Sequence, residues 1–300
     1  MTDSYSASKN TTTLAERPST CIIVIPARYA SKRYPGKPLV QIQDKSLIHH
    51  TILAGLKAKA EIDTHQHLDC LGVFVATDDE RIQDHVKTLA AETNIDVDVI
   101  MTSPECENGT IRTAEAYQKL AQNNNLSADI IINLQGDSLL TPARFIVALV
   151  DHMHKNTSVH ISTPALRCDR ETLKNFQEDA AAGRVGGTTM TMTRHGDALY
   201  FSKQIIPYID PGHRFTIETE IPVFHHVGLY GYRPQALSEY THLPEGPCET
   251  HEKLEQLRFL ENGHSIRCVI VDGRNEIFWE VNNPEDVDRV APHLNQQNKP

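Results

Sequence analysis

The stretch "CIIVIPARYASKRYPGKPL", Cys21–Leu39, joins an apolar run to a loop that is rich in cations. Its first seven residues are apolar, which is typical of a strand buried on both faces of a parallel sheet. The loop then gathers Arg28, Lys32, Arg33 and Lys37, in a chain whose formal net charge is -10. This concentration of positive charge indicates a binding site for a small anion. On charge alone, a solvated basic loop without a ligand is an equally good interpretation.

The rest of the N-terminal half alternates apolar, strand-like runs with segments of helical spacing. The strand-like runs are "LGVFVATDD", "DVDVIM" and "ADIIINLQGD", and the helical segments cover 46–60, 79–93, 109–122 and 142–155. This alternation predicts an α/β fold with a doubly wound, mostly parallel, Rossmann-like sheet. Ligands of such folds bind at the carboxyl ends of the strands.

From about residue 157 to 245 the sequence changes to β-like runs with little helix between them. This pattern predicts a β-rich insertion whose antiparallel or mixed strands extend the same sheet. Helical spacing returns at 249–262, followed by strands in "SIRCVIV" and "IFWEVN" and a closing helix after Pro284. We expect one domain over 20–292, with a polar tail at 1–19 and another at 293–300.

Composition and cysteine usage exclude several classes of protein. No apolar run approaches the roughly 20 residues that cross a bilayer, and the N-terminus lacks the apolar centre of a secretory signal. The six cysteines form no C-x-x-C pair, which argues against a zinc knuckle or a redox dithiol. A sequence pI of about 5.9 argues against general nucleic-acid binding. These features predict a cytoplasmic protein with neither a membrane nor a nucleic-acid partner.

The cation-rich loop resembles the nucleotide-binding signature of the 3-deoxy-manno-octulosonate (Kdo) cytidylyltransferases, or CMP-Kdo synthetases. The broader pattern R-x-x-S-x-R-x-P-x-K, also found in CMP-sialic acid synthetases, falls on Arg28, Ser31, Arg33, Pro35 and Lys37. Seven further stretches resemble successive family blocks in the same order: "VATDDERI", "MTSPECENGTIRTAEA", "NLQGD", "ALYFSKQIIP", "HHVGLYGYR", "HEKLEQLRFLENG" and "VNNPEDVDRV". Together the eight blocks cover most of residues 21–292.

The resemblance implies that CMP passes from CTP to the anomeric hydroxyl of Kdo, an acidic eight-carbon sugar, with release of pyrophosphate. Arg28 and Lys37 would then be catalytic, because cations stabilise the charge that develops on the leaving group. The implied nucleotide-binding residues are Arg28, Ser31, Arg33, Lys37, Arg112 and Gln135. The implied sugar-binding residues are His226, Tyr230, Glu255 and Gln256. The family also implies a homodimer, joined through the β-rich part, and a role in the synthesis of bacterial lipopolysaccharide.

A magnesium site is the third implication of the resemblance. Asp137 follows a buried strand and stands at the family's metal-binding and catalytic aspartate; carboxylate oxygens suit Mg²⁺. The second metal ligand of the family falls on Asn282, where an aspartate is usual. An amide oxygen can still bind a hard cation, as the similar N-acetylglucosamine-1-phosphate uridylyltransferases indicate. The alternative is that "NPED" only begins a helix, with Asn283 as its cap.

Three departures from the family pattern keep other functions open. The usual QGDEP reads "QGDSL", with Ser138 and Leu139, and Thr189 falls where the family carries a lysine. A second hypothesis is therefore a cytidylyltransferase for a related acidic sugar, such as an amino-substituted octulosonate or a nonulosonate. A third is a nucleotide-binding paralogue with little turnover, which would act as a regulator or an assembly partner.

Overall fold

The computed structural model describes residues 17–30, 34–185, 187–210, 220–274, 278–281 and 283–294. Its strands are β1 Ser19–Ala27, β2 Gln41–Ile42, β3 Lys45–Ser46, β4 Leu68–Thr77, β5 Asp98–Met101, β6 Ile130–Leu134, β7 Ile161–Arg167, β8 Thr189–Met192, β9 Ala198–Ser202, β10 Phe224–His226, β11 Leu229–Tyr232 and β12 Arg267–Val271. Its α-helices are α1 Leu47–Ile62, α2 Glu80–Thr93, α3 Gly109–Asn123, α4 Ala143–Lys155, α5 Arg170–Ala181, α6 Pro234–Tyr240, α7 Pro247–Glu252, α8 Leu257–Glu261 and α9 Asp286–Val290. None of the helices described is long and apolar enough to span a bilayer.

Ten of the strands form one sheet in the order β5-β4-β1-β6-β11-β7-β10-β8-β9, with β12 paired to β7. The pairs β4–β5, β1–β4, β1–β6 and β7–β12 are parallel, and the others are antiparallel. Among the described strands of this sheet, β9, β10 and β11 therefore run opposite to the other seven. The predicted α/β fold with a mostly parallel sheet is confirmed.

The sheet is covered on both faces because successive residues of β1 point to opposite sides. Ile23 and Ile25 pack in one core layer with residues of α1, α2 and α4. Ile22 and Val24 pack in the other layer, together with α3 residues. The uninterrupted apolar run of β1 is thus explained by burial on both faces.

The order in which successive strands join the sheet reverses at β1, and this reversal creates the place for a site. β1 is followed by β4 on one side and β5 lies beyond it, whereas β6 lies on the other side of β1. The loops after β1 and β6 therefore diverge and leave a crevice at the carboxyl ends of these strands. The cations Arg28 and Lys37 follow β1, and Asp137 follows β6.

The β-rich part agrees with the prediction in its strands but not in its helices. β7 to β11 extend the same sheet, as expected, but α5 lies between β7 and β8, and α6 follows β11. α5 begins after Asp169, whose side chain accepts a hydrogen bond from the Thr172 backbone, and it buries Leu173 and Phe176. Two apolar residues on an otherwise charged segment are a weak periodic signal, and so the prediction of little helix was wrong.

Two predictions for the C-terminal quarter are also wrong. The expected helix over 249–262 is broken into α7 and α8, because Lys253 adopts the left-handed conformation at φ 56°. No strand is present over Phe278–Val281, the described part of "IFWEVN". The closing helix exists as α9, but the residue at its N-cap is Glu285 and not Asn283. The described domain extends slightly past 20–292, since Ser19 belongs to β1 and Leu294 is buried.

Candidate functional site

A cleft of about 1240 Å³ opens at the carboxyl ends of β1 and β6. Its walls come from the loops after these strands, the start of α3, the β10–β11 turn, the break between α7 and α8, and the segment that leads into α9. Most predicted site residues line it: Arg28, Lys37, Arg112, Gln135, Asp137, His226, Tyr230, Glu255 and Gln256. Ser31, Arg33 and Asn282 lie outside the described residues.

A tight turn positions Lys37 in the cleft. Gly36 has φ 70°, a conformation that favours glycine, and its backbone N–H donates to the Tyr29 carbonyl at 2.9 Å. A Cβ on Gly36 would lie 3.1 Å from the Tyr29 ring, and the Arg81 guanidinium lies 3.3 Å from the centroid of the same ring. Lys37 then begins a short 3₁₀ helix with Pro38 buried beneath it. The "YPGKP" sequence therefore fixes where this ammonium stands.

The Lys37 ammonium pairs with Asp137 between the segments that follow β1 and β6. Its Nζ lies 2.5 Å from Asp137 Oδ2 and 2.9 Å from the Val281 carbonyl oxygen. Both side chains are mostly shielded from solvent, with 15% and 21% exposed. Asp137 can approach because Gly136 has no side chain: a Cβ there would lie 2.7 Å from the Pro26 carbonyl. Two residues 100 positions apart thus form one charged centre.

The oxygen atoms around this ammonium are of the kind that bind a magnesium ion. A carboxylate oxygen of Asp137 and the carbonyl oxygen of Val281 already hold one cation, the Lys37 ammonium. Mg²⁺ is bound by such hard oxygen donors, and it usually keeps water and phosphate oxygens as its remaining ligands. The described residues contain no group of three or more His, Cys, Asp or Glu side chains that could hold a metal ion by themselves. The Asp137 carboxylate nevertheless fits the predicted metal role, because it already binds a cation beside a second oxygen.

Gln135 and Glu255 form a polar wall beside this centre. Gln135 Nε2 donates to Asn133 Oδ1 at 3.1 Å and to Glu255 Oε1 at 3.3 Å. Glu255 Oε2 accepts the Thr110 backbone N–H at 3.2 Å, in the first turn of α3, where the helix dipole favours a carboxylate. Burial nevertheless raises the pKa of Glu255 above its ordinary value, against these hydrogen bonds. The sequence had placed Glu255 on a helix, but it lies in the break between α7 and α8.

His226 and Tyr230 also line the cleft, and their ring centroids lie 5.4 Å apart. His226 Nε2 lies 3.1 Å from the Thr163 hydroxyl, and that hydroxyl donates its proton to the Leu229 carbonyl at 2.8 Å. Because a hydroxyl has one proton to donate, Nε2 must be the donor, which leaves Nδ1 as an acceptor. His226 can therefore accept a hydrogen bond from a ligand hydroxyl.

Gln256 presents an unused donor to the cleft. Its side chain is almost completely buried, and its Nε2 has no hydrogen-bond partner. Buried polar groups in native proteins are rarely left in this state, because an unmade hydrogen bond costs about 1–3 kcal/mol. A ligand with oxygen acceptors would satisfy this amide.

Arg112 has a supporting position rather than an exposed one. It is buried, and its Nη1 donates to Thr102 Oγ1 at 2.5 Å and lies 3.4 Å from Asp78 Oδ1. It therefore ties the loop after β5 to the end of β4. Its predicted contact with the nucleotide remains a prediction.

An ion pair holds the break between α7 and α8 in place. Arg258 Nε and Nη2 donate to the two carboxylate oxygens of Glu249 at 2.7 and 2.8 Å. Only 7% and 8% of the two side chains are exposed, and the guanidinium lies 4.8 Å from the Tyr240 ring centroid. Such a bidentate pair fixes orientation as well as distance. Glu255 and Gln256 lie inside the loop that it closes.

Thr189, Leu139 and Ser138, which depart from the family pattern, are all buried. Thr189 is buried; its hydroxyl donates to the Gln204 carbonyl at 2.6 Å and accepts the Ile206 N–H at 3.0 Å. Leu139 packs in a small core with Ile42 and Val281. Ser138 is buried beside the cleft, and its hydroxyl has no hydrogen-bond partner.

Several residues of the cleft were not predicted from the sequence. They are Arg184, Lys203, Trp279, Glu280 and Arg289. Arg184 donates to Asp179 Oδ1 at 2.7 and 3.0 Å, and Arg289 lies over the Trp279 ring at 3.9 Å. Lys203 and Arg289 lie in the family-like stretches "ALYFSKQIIP" and "VNNPEDVDRV", from which no role was predicted for either residue. For the other three residues, the available signal was the single tryptophan of the chain.

Acid should destabilise the protein through His226. Burial, with a smaller contribution from the neighbouring His225, lowers the pKa of His226 to about 3, from an ordinary value of 6.5. Between these two pH values the unfolded chain binds more protons, so stability is lost as the pH falls from about 6.5 toward 3. We expect the His226→Gln variant to show a shallower fall of Tm over this range. An equal change in the exposed His242→Gln variant would contradict this assignment.

Comparison with known proteins agrees with this geometry. Residues 22–266 match the model of a family described as cytidylyltransferase. A 3-deoxy-manno-octulosonate cytidylyltransferase from Maricaulis maris is 39% identical over a region that covers 90% of this chain and 95% of that enzyme. The enzyme of the same name from Chlamydia pneumoniae is 35% identical over a region that covers 91% of this chain and 93% of that enzyme.

A solved structure gives the same result in three dimensions. The structure of CMP:2-keto-3-deoxy-manno-octonic acid synthetase complexed with CTP superposes with a TM-score of 0.72 at 31% identity. The match covers 93% of this chain and all of the other. The chain therefore belongs to the cytidylyltransferase family and, within it, to the 3-deoxy-manno-octulosonate cytidylyltransferases.

Proposed function

We propose that this protein transfers CMP from CTP to the anomeric hydroxyl of Kdo and releases pyrophosphate. The observation that carries the proposal is the Lys37–Asp137 centre at the carboxyl ends of β1 and β6, inside a cleft with a polar, hydroxyl-binding wall. The relatives' names support CTP and Kdo as the substrates. On this proposal the reaction is cytoplasmic, supplies lipopolysaccharide synthesis and is carried out by a homodimer.

The charged groups of the cleft can be assigned to separate parts of this reaction. CTP carries roughly four negative charges, and more charge develops on the pyrophosphate as it leaves. Arg28 and Lys37 would face these phosphates and stabilise the leaving group. Mg²⁺, bound through Asp137 with Asn282 as its second proposed ligand, would neutralise phosphate charge. No protein nucleophile is needed, because the sugar hydroxyl attacks the α-phosphorus.

The polar wall, together with His226, would hold the sugar. His226 Nδ1, Glu255 and Gln256 together offer acceptors and a donor for a polyhydroxylated acid. Orientation matters here, because correct placement of the reacting hydroxyl removes much of the entropic barrier of a bimolecular reaction. The residues of this wall therefore act by binding and positioning the sugar.

A second candidate keeps CTP and changes the sugar. The Thr189 hydroxyl is fully used inside the fold, so β8 supplies no cation to the cleft at that position. An acceptor acid with an amino substituent, or a nonulosonate, would remain compatible with the nucleotide half of the site.

Pyrophosphate release distinguishes these candidates. The purified protein would be assayed with CTP, UTP or ATP against Kdo, 8-amino-Kdo and a nonulosonate, with and without Mg²⁺. We expect release with CTP and Kdo and only with the metal. Release with another acid would support the second candidate. Tight CTP binding without release for any pair would refute both.

Breaking the Glu249–Arg258 pair should cost both stability and sugar binding. Removing one partner of a buried ion pair leaves the other charge uncompensated, at about 3 kcal/mol, so Arg258→Met should unfold at lower denaturant concentration. The variant should also raise the KM for Kdo, because Glu255 and Gln256 lose their support. Chemical denaturation and initial rates would measure both effects. Lys174→Met, which breaks an exposed pair with Glu178, is the control and should change neither.

A further inference from the structure

Glu280 is a carboxylate of the cleft to which neither the sequence motifs nor the proposed mechanism gives a role. It is half-buried, lines the cleft, and precedes Val281, whose carbonyl oxygen accepts a hydrogen bond from Lys37. Its backbone therefore lies beside the charged centre, while its side chain extends to the β10–β11 turn, as the next contact shows.

Gly228 makes room for the Glu280 carboxylate. A Cβ on Gly228 would lie 2.3 Å from Glu280 Oε1, a distance that real Cβ atoms do not tolerate, and 3.6 Å from Gln135 Cγ. The carboxylate therefore lies directly against the backbone of the β10–β11 turn, next to Gln135. Any other residue at position 228 would have to displace it.

A second glycine does the same for Gln135. A Cβ on Gly109 would lie 2.8 Å from both terminal atoms of the Gln135 amide. The amide is thereby held between Gly109 and the Glu255 carboxylate, which accepts its hydrogen bond at 3.3 Å. Two glycines thus give space to two polar side chains on the same wall.

Glu255 and Glu280 flank this wall with negative charge. Tyr230, on β11, lines the cleft, and both carboxylates contribute to raising its pKa, after the larger effect of burial. Carboxylates at this place would repel a triphosphate. They are well suited to a neutral surface of hydroxyl groups, from which each oxygen can accept a hydrogen bond.

We propose that Glu280, held by Gly228, is a further substrate-binding residue that accepts hydrogen bonds from hydroxyl groups of the acceptor sugar. The inference rests on the proposed function. It assigns the sugar a second carboxylate beside Glu255, on the wall that also carries Gln135 and Tyr230. A hydroxyl group bound there would be fixed from two sides.

Steady-state kinetics with Glu280→Gln would test this role. The change keeps the size of the side chain but removes the charge that strengthens each hydrogen bond. We expect the KM for Kdo to rise about tenfold, while the KM for CTP, the Mg²⁺ dependence and the Tm stay at wild-type values. Gly228→Ala should raise the KM for Kdo in the same way, because its Cβ displaces the carboxylate. Asp288→Asn, an exposed change of equal charge on α9, should leave all four quantities unchanged.

The other outcomes overturn the inference. An unchanged KM for Kdo in Glu280→Gln shows that the carboxylate does not bind the sugar. A change confined to the KM for CTP or to the Mg²⁺ dependence assigns it to the nucleotide or the metal instead. If the wild-type protein is active with Kdo, these results reject the inference alone. If the wild-type protein makes no nucleotide sugar, the proposed function fails and this inference fails with it.

Discussion

Replacing Asp137 by alanine is expected to lower kcat about a thousandfold. Metal stabilisation of the transition state is worth several kcal/mol, and each 1.36 kcal/mol is a factor of ten in rate. The substitution also removes the Asp137 carboxylate as a partner of the Lys37 ammonium, which keeps its hydrogen bond to the Val281 carbonyl. Initial rates of pyrophosphate release at saturating CTP and Kdo would measure the loss.

A matched control separates this effect from a general loss of structure. Asp151 on α4 also carries an ion pair, with Lys155 at 2.6 Å, but it lies outside the cleft. Asp151→Ala should keep wild-type kcat. Wild-type turnover in a folded Asp137→Ala variant would refute the metal and catalytic role of Asp137.

The Lys37→Met variant is expected to show two opposite effects. Loss of a cation that faces the leaving group should lower kcat/KM for CTP by about a hundredfold or more, in line with the removal of one stabilising donor. At the same time the Asp137 carboxylate loses the ammonium that lies 2.5 Å away. Because a divalent cation and this ammonium compete for the same oxygen, Mn²⁺ should bind the nucleotide-free variant at least tenfold more tightly. Titration calorimetry with Mn²⁺ alone would measure this affinity.

Arg28→Met is the control for the change in charge. Arg28 lines the same cleft, but its described hydrogen bond is a 3.4 Å contact to the Glu107 carbonyl and not to Asp137. Its removal changes the net charge equally and should tighten Mn²⁺ binding far less. Equal tightening in both variants would mean that only the long-range field of the cleft matters, and that Lys37 does not compete with the metal.

The parts of the fold that could be predicted are those with a local physical cause. β1 contains the apolar run Cys21–Ala27 and β6 is apolar apart from Asn133, and burial on both faces of the sheet requires such runs. The meeting of Lys37 and Asp137 also follows from the sequence. Both residues come after strands of the same parallel sheet, so the topology alone brings their loops to one edge.

The parts that were missed depend on tertiary contacts. The helical spacing of 249–262 is real, but the left-handed residue Lys253 and the Glu249–Arg258 pair break the segment into two helices. No local sequence pattern indicates that Glu249 and Arg258 form an ion pair. Without the break, Glu255 and Gln256 would lie on a continuous helix; with it, they lie in the loop that lines the cleft.

The roles of glycines were equally hidden. In the sequence, Gly109 only begins a predicted helix and Gly228 looks like an ordinary loop glycine, and neither has the positive φ of a turn glycine. Their value lies in the side chains of Gln135 and Glu280, which come from distant parts of the chain. The predictions for Ser31, Arg33 and Asn282 rest on family resemblance, because these residues lie outside the described part of the chain.

Phosphorus NMR of one reaction mixture tests the central claim most directly. The protein would be incubated with CTP, Kdo and Mg²⁺, and the spectrum followed over time. The proposed function predicts that pyrophosphate and a new phosphodiester signal, from CMP joined to the sugar, appear in equal amounts and only when all components are present. Pyrophosphate without the phosphodiester, or no change despite saturating CTP, would contradict it.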